Sequence, residues 1–199
     1  CGKSTLLRMI GGTEPGYDGR IEIDGRPPET APVPGFVFQD ARLLPWLTAA
    51  DNIRAVAPGI SGDQIAGLLA SVGLAGQEDA YPRQLSGGMQ RRLGLARALS
   101  VNPGLLLLDE PFVSLDRAVV RDLQALFLAT FAAHRPTVIL VTHDDEDAAR
   151  LADRVILLAG RPVRIVADLA LPGPAAARDA RQILDLVDTI RAAGKEGRP

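Results

Sequence analysis

Cysteine is almost missing from this chain: among 199 residues only Cys1 carries a thiol, which excludes an intramolecular disulfide and suits a reducing compartment. No Cys/His group has the spacing of a zinc site. Charge excess is missing as well. Lys and Arg number 22 against 24 Asp and Glu, a net charge of −2, so nothing in the charge balance draws the chain to nucleic acid or an anionic membrane. Long hydrophobic runs are absent too. The longest, at 104–108 and 137–141, fall far short of the roughly 18 residues of a membrane-spanning helix. No basic-then-apolar leader opens the chain, an absence of little weight because the first residue is not methionine. Internal repeats are missing, and the only biased tract is the Ala-rich tail.

What is present is enough apolar content, 47%, for one ample domain or a domain with an inserted lobe. Residues 3–10 are expected to be helical, stopped by Gly11, Gly12, Pro15 and Gly16. Residues 19–25 alternate apolar and polar before an Asp-Gly turn, as a half-buried antiparallel strand would. Residues 36–38 read as a short strand ending at Gln39. Residues 41–100 are rich in Leu and Ala and read as a helical lobe, with Asp51, Ser61 and Ser86 as candidate caps. Strand character returns at 105–108, 137–142 and 154–158, predicting a parallel sheet with helices between its strands. Residues 164–167 offer a further strand, and 175–193 a terminal helix. His134 reads as a surface residue of a connection before Pro136.

Three segments and two single residues carry chemistry. CGKST at 1–5 has the form of the end of a P-loop. There Gly2 permits close backbone approach, Lys3 reaches β- and γ-phosphate oxygens, Ser4 ligates Mg²⁺, and Thr5 lies in the first turn of the helix whose N-terminus attracts phosphate. LLLLDEP at 105–111 is a buried strand delivering two carboxylates at its C-terminal end, where open α/β sheets bind ligands. Asp109 is placed to hold Mg²⁺ and Glu110 to polarise an attacking water. LSGGMQ at 85–90 puts two glycines at a helix start, unfavourable by roughly 1 kcal/mol each relative to alanine. Ser86, Gly87 and Gly88 there present donors for a γ-phosphate. Met89, Leu93 and Ala96 should face the core, leaving Arg91 and Arg92 on a solvated face or toward a carboxylate. Gln39 and His143 each follow a strand at the same sheet edge. Gln39 is a candidate ligand for Mg²⁺ or its water, and His143 a γ-phosphate contact.

Taken in order, GKST at 2–5, Gln39, LSGGMQ at 85–90, the strand ending in Asp109 and Glu110, SLD at 114–116 and His143 resemble the ABC transporter ATPase family over essentially the whole chain. The resemblance implies an α/β fold: a RecA-like P-loop NTPase core with an inserted helical subdomain, lacking its N-terminal strands. The implied layout is 1–40 and 101–168 as core with part of an antiparallel β subdomain, 41–100 as signature subdomain, and 169–199 as helical tail. It implies ATP and Mg²⁺ as ligands, with Gln90 and Asp116 joining the nucleotide contacts. It also implies a head-to-tail dimer in which Ser86, Gly87 and Gly88 of one subunit close on ATP held by Lys3 of the other. A transmembrane permease, an indirect solute-binding protein and a peripheral place on the cytoplasmic face of the inner membrane follow, with no nucleic acid.

Residues 39–48 and 159–165 resemble the nitrate, sulfonate and taurine importer branch. Leu43, Leu44 and Trp46 form an apolar cluster where the resemblance places the permease groove; packing within the helical lobe explains Trp46 equally well. The family's P-loop begins four residues before Cys1, so the resemblance implies a longer natural subunit. Val113 stands where glycine is common and Ser114 where small residues are usual, and neither is expected to disturb the chemistry. The competing class is a non-transport ATPase of the same family acting in DNA repair or on ribosomes. Such proteins carry long insertions or paired cassettes, unlike the compact lobe between Lys3 and Ser86.

Overall fold

The computed structural model describes residues 2–196. Cys1, assigned above to the P-loop, lies outside the described residues. Helix α1 (Lys3–Ile10) forms as expected; at its end Gly11 donates to Leu7 and Gly12 to Met9, closing the last turn. Strands β1 (Gly35–Val37), β2 (Leu105–Asp109) and β3 (Thr137–Val141) make a parallel sheet in that order, with Val37 opposite Leu108 and Asp109 opposite Val141. Phe38, expected within the first strand, lies just beyond it.

The continuous leucine run of β2 is explained by helices on both faces. Leu106 and Leu108 enter a large core with Ile53, Leu69, Leu93 and Phe127, while Leu105 and Leu107 turn the other way onto Leu7 of α1. Leu106, Leu107 and Leu108 are fully buried, and each such burial stabilises the fold by roughly 2 kcal/mol. Gly35 is needed because a Cβ there would come within 2.6 Å of the Ala98 carbonyl oxygen.

The lobe contains α2 (Ala49–Arg54), α3 (Gly62–Ser71) and α4 (Gly87–Leu99). Ser61 and Ser86 cap their helices as expected, Ser61 in a reciprocal bond with Gln64. Asp51 does not cap α2. Thr48 does, accepting the Asp51 N–H at 3.1 Å, because its extended backbone precedes the first turn. The lobe is not walled off from the sheet: α4 packs on β1, α2, α3 and α5 (Arg117–His134), and one apolar core runs through all of them.

Several expectations need correction. Residues 19–25 form no strand; only a single bridge between Ile23 and Arg26 flanks the Asp-Gly turn. Pro27 and Pro28 follow at once and lack the N–H groups a ladder requires. The segment at 154–158 does not extend the parallel sheet. It becomes β4 (Arg154–Ala159), antiparallel to β5 (Arg164–Ala170), because the short connection between them permits only a hairpin. The terminal helix begins later than 175: α7 (Ala180–Glu196) starts after Asp179, which exchanges capping bonds with Gln182. His134 is exposed but ends α5 instead of lying in a connection. Arg91 and Arg92 do not form a solvated face. Arg91 donates to the carbonyls of Phe38 and Val113, and Arg92 to that of Val72, because α4 lies under these loops.

Between β3 and β4, α6 (Asp145–Leu151) is capped by Asp144, which accepts the Glu146 N–H at 2.8 Å. Helix α7 buries Ile183, Leu186, Val187 and Ile190 in a second core with Ala149 and Val155.

Candidate functional site

The register of the parallel sheet brings the ends of its three strands to one edge, and the candidate site is built there. Gly2 sits at φ +85, a left-handed conformation that glycine adopts without penalty, and it sets the first turn of α1 over this edge. That turn carries Lys3, Ser4 and Thr5, all half-buried. The Ser4 hydroxyl donates to Asp109 Oδ1 at 2.9 Å. Two residues more than a hundred positions apart are thus joined where a helix N-terminus meets a strand C-terminus.

Beyond Asp109 the chain turns sharply. Glu110 has φ +47, a conformation costing a non-glycine residue roughly 1–2 kcal/mol, yet its N–H still reaches the Val141 carbonyl at 2.8 Å. This turn aims the Glu110 carboxylate at His143, whose Nδ1 lies 2.9 Å from Oε2. Ser114 is left-handed too, at φ +62, so the segment leaving Glu110 is bent twice before α5. Asp116 occupies the cap position of α5, exposed and making no capping bond. Gln39, exposed just past β1, lines a cavity of about 300 Å³ with Phe38, Asp40, Arg42, Arg91 and Asp109. Burial lowers the Arg91 guanidinium from its ordinary pKa, and nearby Asp40 opposes that shift.

The residues of LSGGMQ form a separate group. Ser86 accepts the Met89 N–H at 3.3 Å, capping its own helix. Gly87 is exposed; at Gly88 a Cβ would lie 3.0 Å from Val119 Cγ1, so close packing on α5 is a second reason for glycine there. The Gln90 amide donates to the carbonyls of Pro82 and Leu85, at 3.0 and 3.2 Å, and holds the loop entering α4. Whereas α4 packs as described above, α1 packs on β2 and β3. Ser4, Asp109, Glu110 and His143 are brought together by hydrogen bonds, whereas those of Ser86 and Gln90 go to the start of α4 and the loop before it.

Some residues of the site escaped sequence reasoning. Asn52 is fully buried, accepting from the Leu44 N–H and donating to three carbonyls of the 44–48 segment, so it fixes the loop carrying Trp46. Trp46 itself is 69% exposed, which rules out its packing inside the lobe. Asp147 is buried on α6, accepting from Gln124 of α5 at 2.7 Å and from Thr142 beside His143 at 2.9 Å. Its carboxyl is pushed up to about 6, chiefly by burial and also by repulsion from Asp144 and Glu146, against the two hydrogen bonds. The acidic run at 144–147 gave no sign of which member is buried.

The family model described as ABC transporter matches residues 1–113. The chain belongs to this family. Among curated relatives, it is 44% identical over 171 residues to the aliphatic sulfonates import ATP-binding protein SsuB of Bacillus subtilis (strain 168), covering 83% of this chain and 66% of that protein. It is likewise 44% identical to the aliphatic sulfonates import ATP-binding protein SsuB 1 of Pseudomonas syringae pv. syringae (strain B728a), covering 92% of this chain and 75% of that one. The chain thus spans about two thirds of the first relative's length. Among solved structures it is similar to the dimeric post-hydrolysis state of the ATP-binding cassette MJ0796 bound to ADP and Pi. That match has a TM-score of 0.72 at 29% identity, covering 86% of this chain and 82% of the other. The fold of an ABC ATPase is therefore the fold of this chain, and these relatives lend no support to the DNA-repair or ribosome alternative. No helix among the described residues is long and apolar enough to cross a membrane.

Proposed function

We propose that this ABC family chain is the ATP-hydrolysing subunit of an importer for small anionic solutes of the sulfonate class. It works as a head-to-tail pair against a permease on the cytoplasmic face of the inner membrane, with a solute-binding protein delivering cargo. The observation that carries the proposal is the meeting of Ser4 with Asp109 and of Glu110 with His143 at one sheet edge. The sulfonate class is supported by the names of the relatives above.

The donor chemistry fits Mg²⁺: the Ser4 hydroxyl, Asp109 carboxylate and Gln39 amide offer hard oxygens, two of them already in contact. When bound, such an ion neutralises phosphate charge. The chain's own groups do the rest. Lys3 and the N–H groups opening α1 bind phosphate oxygens. Glu110 takes a proton from the attacking water as its oxygen bonds to the γ-phosphorus and the bond to the bridging oxygen breaks, releasing ADP and phosphate. His143, with Nδ1 on Glu110, orients that carboxylate and offers Nε2 to a phosphate oxygen when the ring is protonated. Ser86, Gly87 and Gly88 supply donors to ATP on the second copy, with Asp116 at the same interface; Gln90 serves by holding their loop.

The test is hydrolysis by the intact subunit together with uptake of a labelled alkanesulfonate in cells lacking the gene. Lost sulfonate uptake with sulfate uptake intact supports the assignment. Unchanged sulfonate uptake removes the solute class, and absent hydrolysis removes the activity.

A further inference from the structure

His143 reaches Glu110 from a short turn between β3 and α6, and a lone exposed imidazole on such a turn needs something to hold it. The structure supplies a chain of hydrogen bonds behind it. The Thr142 hydroxyl accepts the Asp144 N–H at 3.0 Å and donates to Asp147 Oδ2 at 2.9 Å. Asp147 Oδ1 accepts from Gln124 Nε2 at 2.7 Å, so α5 is tied through one buried carboxylate to the residue preceding His143.

We infer that Asp147 is a positioning residue for His143: anchored on Gln124, it fixes Thr142 and hence the turn that sets the imidazole against Glu110. The directions of the bonds make this depend on ionisation. As a carboxylate Asp147 only accepts, and both Thr142 and Gln124 donate to it. Once protonated it becomes a donor on one side. Thr142 Oγ1 would then receive both Asp147 and the Asp144 N–H, and its own proton would lose its acceptor.

The surroundings set where that change falls. On its own helix Asp144 and Glu146 repel the carboxylate, while Arg150 is engaged by Glu146. From α5, Arg117 and Arg121 line with Gln124 and His143 a cavity of about 310 Å³ that borders Asp147. From the C-terminal segment packed on α6, Arg191 pairs with Asp145, and Arg178 donates to the Ala149 and Ala152 carbonyls. None of these cations bonds to Asp147, whose carboxyl stands at about 6.

The experiment compares the intact subunit with Asp147→Asn, Thr142→Val and the double variant. Its first reading is the ring nitrogen spectrum of His143, with His134 at the distant end of α5 as internal control. All three variants should move the His143 signals and leave those of His134 in place, the double variant no further than Thr142→Val alone. If Asp147→Asn fails to fold, Thr142→Val carries the same reading. The second is hydrolysis, which rests on the proposed function. There kcat should fall about tenfold with KM for ATP within about twofold, the loss expected for a displaced catalytic group. The decline in kcat between pH 7 and 5 should be shallower in Asp147→Asn than in wild type. His143 signals unmoved in Asp147→Asn and Thr142→Val would overturn the inference. Moved signals in a protein that hydrolyses no ATP would uphold it and sink the hydrolytic function instead.

Discussion

Helices α1 and α4 open alike, each with a glycine, a hydroxyl and the backbone N–H groups of a helix start, which suit an anion, yet their surroundings differ. At α1 the left-handed Gly2 swings Ser4 onto Asp109, so the donors of the first turn face the acidic end of β2. At α4 the Ser86 hydroxyl oxygen accepts from its own helix, the Gln90 amide holds the loop before it, and Gly87 is exposed. One glycine-bearing helix start is wired to the carboxylates and the other is exposed. Two such starts and one pair of acids are what the proposed head-to-tail pair requires, each copy giving half of two sites.

The largest effect should come from the wired half. Glu110→Gln keeps shape but removes the base, so turnover should fall by about 10²-fold or more with nucleotide binding retained, checked by steady-state hydrolysis and nucleotide titration. Near-wild-type turnover would break the comparison at its strongest point. Ser4→Ala removes the bond to Asp109 and should lower turnover and raise the Mg²⁺ requirement, by about tenfold, read from Mg²⁺ titration of the rate.

The outward half should respond differently. At Gly88→Ala a gain in helix propensity of roughly 1 kcal/mol opposes a contact of 3.0 Å with Val119 Cγ1. Denaturant melts should therefore shift by less than about 1 kcal/mol while hydrolysis falls. A large stability loss with unchanged specific activity would make Gly88 a packing glycine only.

The smallest effect is one of stability, and its sign follows from Asp147. The folded carboxyl, at about 6, lies above the ordinary aspartate value of 3.8. Folding thus favours the protonated form: this stability is fully present below pH 3.8 and is lost as pH rises through about 6. At neutral pH the buried charge costs about 1–2 kcal/mol once solvent screening is allowed for. Asp147→Asn should therefore melt higher than wild type above pH 6, with the difference shrinking toward pH 4. Lower activity in a more stable protein would set positioning apart from mere folding.

How much of this was legible beforehand differs between the two helix starts. The residues of both could be named from the sequence, because glycine, hydroxyl and carboxylate at fixed offsets state their own chemistry. The β2 run, its two acids and α1 were found where expected, since strong apolar patterning and a glycine stop leave few alternatives. What the chain order hid was partnership. Nothing local to Gln90 says that its amide closes on Pro82 and Leu85, nor does anything near Arg91 point to carbonyls of two distant loops. The segment at 154–158 has the texture of a parallel strand, and only its short link to β5 makes it a hairpin. Residues 20–24 kept their alternating exposure but lost their ladder to prolines. Asp147 was one acid in a row of four until α5 was folded over it.

The central claim, that one site needs both helix starts from two copies, is tested most directly by mixing two inactive intact subunits, Lys3→Ala and Ser86→Arg. Each homodimer lacks both sites, whereas a mixed dimer restores one site free of either change. An equal mixture should recover about a quarter of the wild-type hydrolysis rate, half of the dimers each with one of two sites. No recovery, with mixed dimers shown by differential tagging, would contradict the claim and return the start of α4 to a structural role.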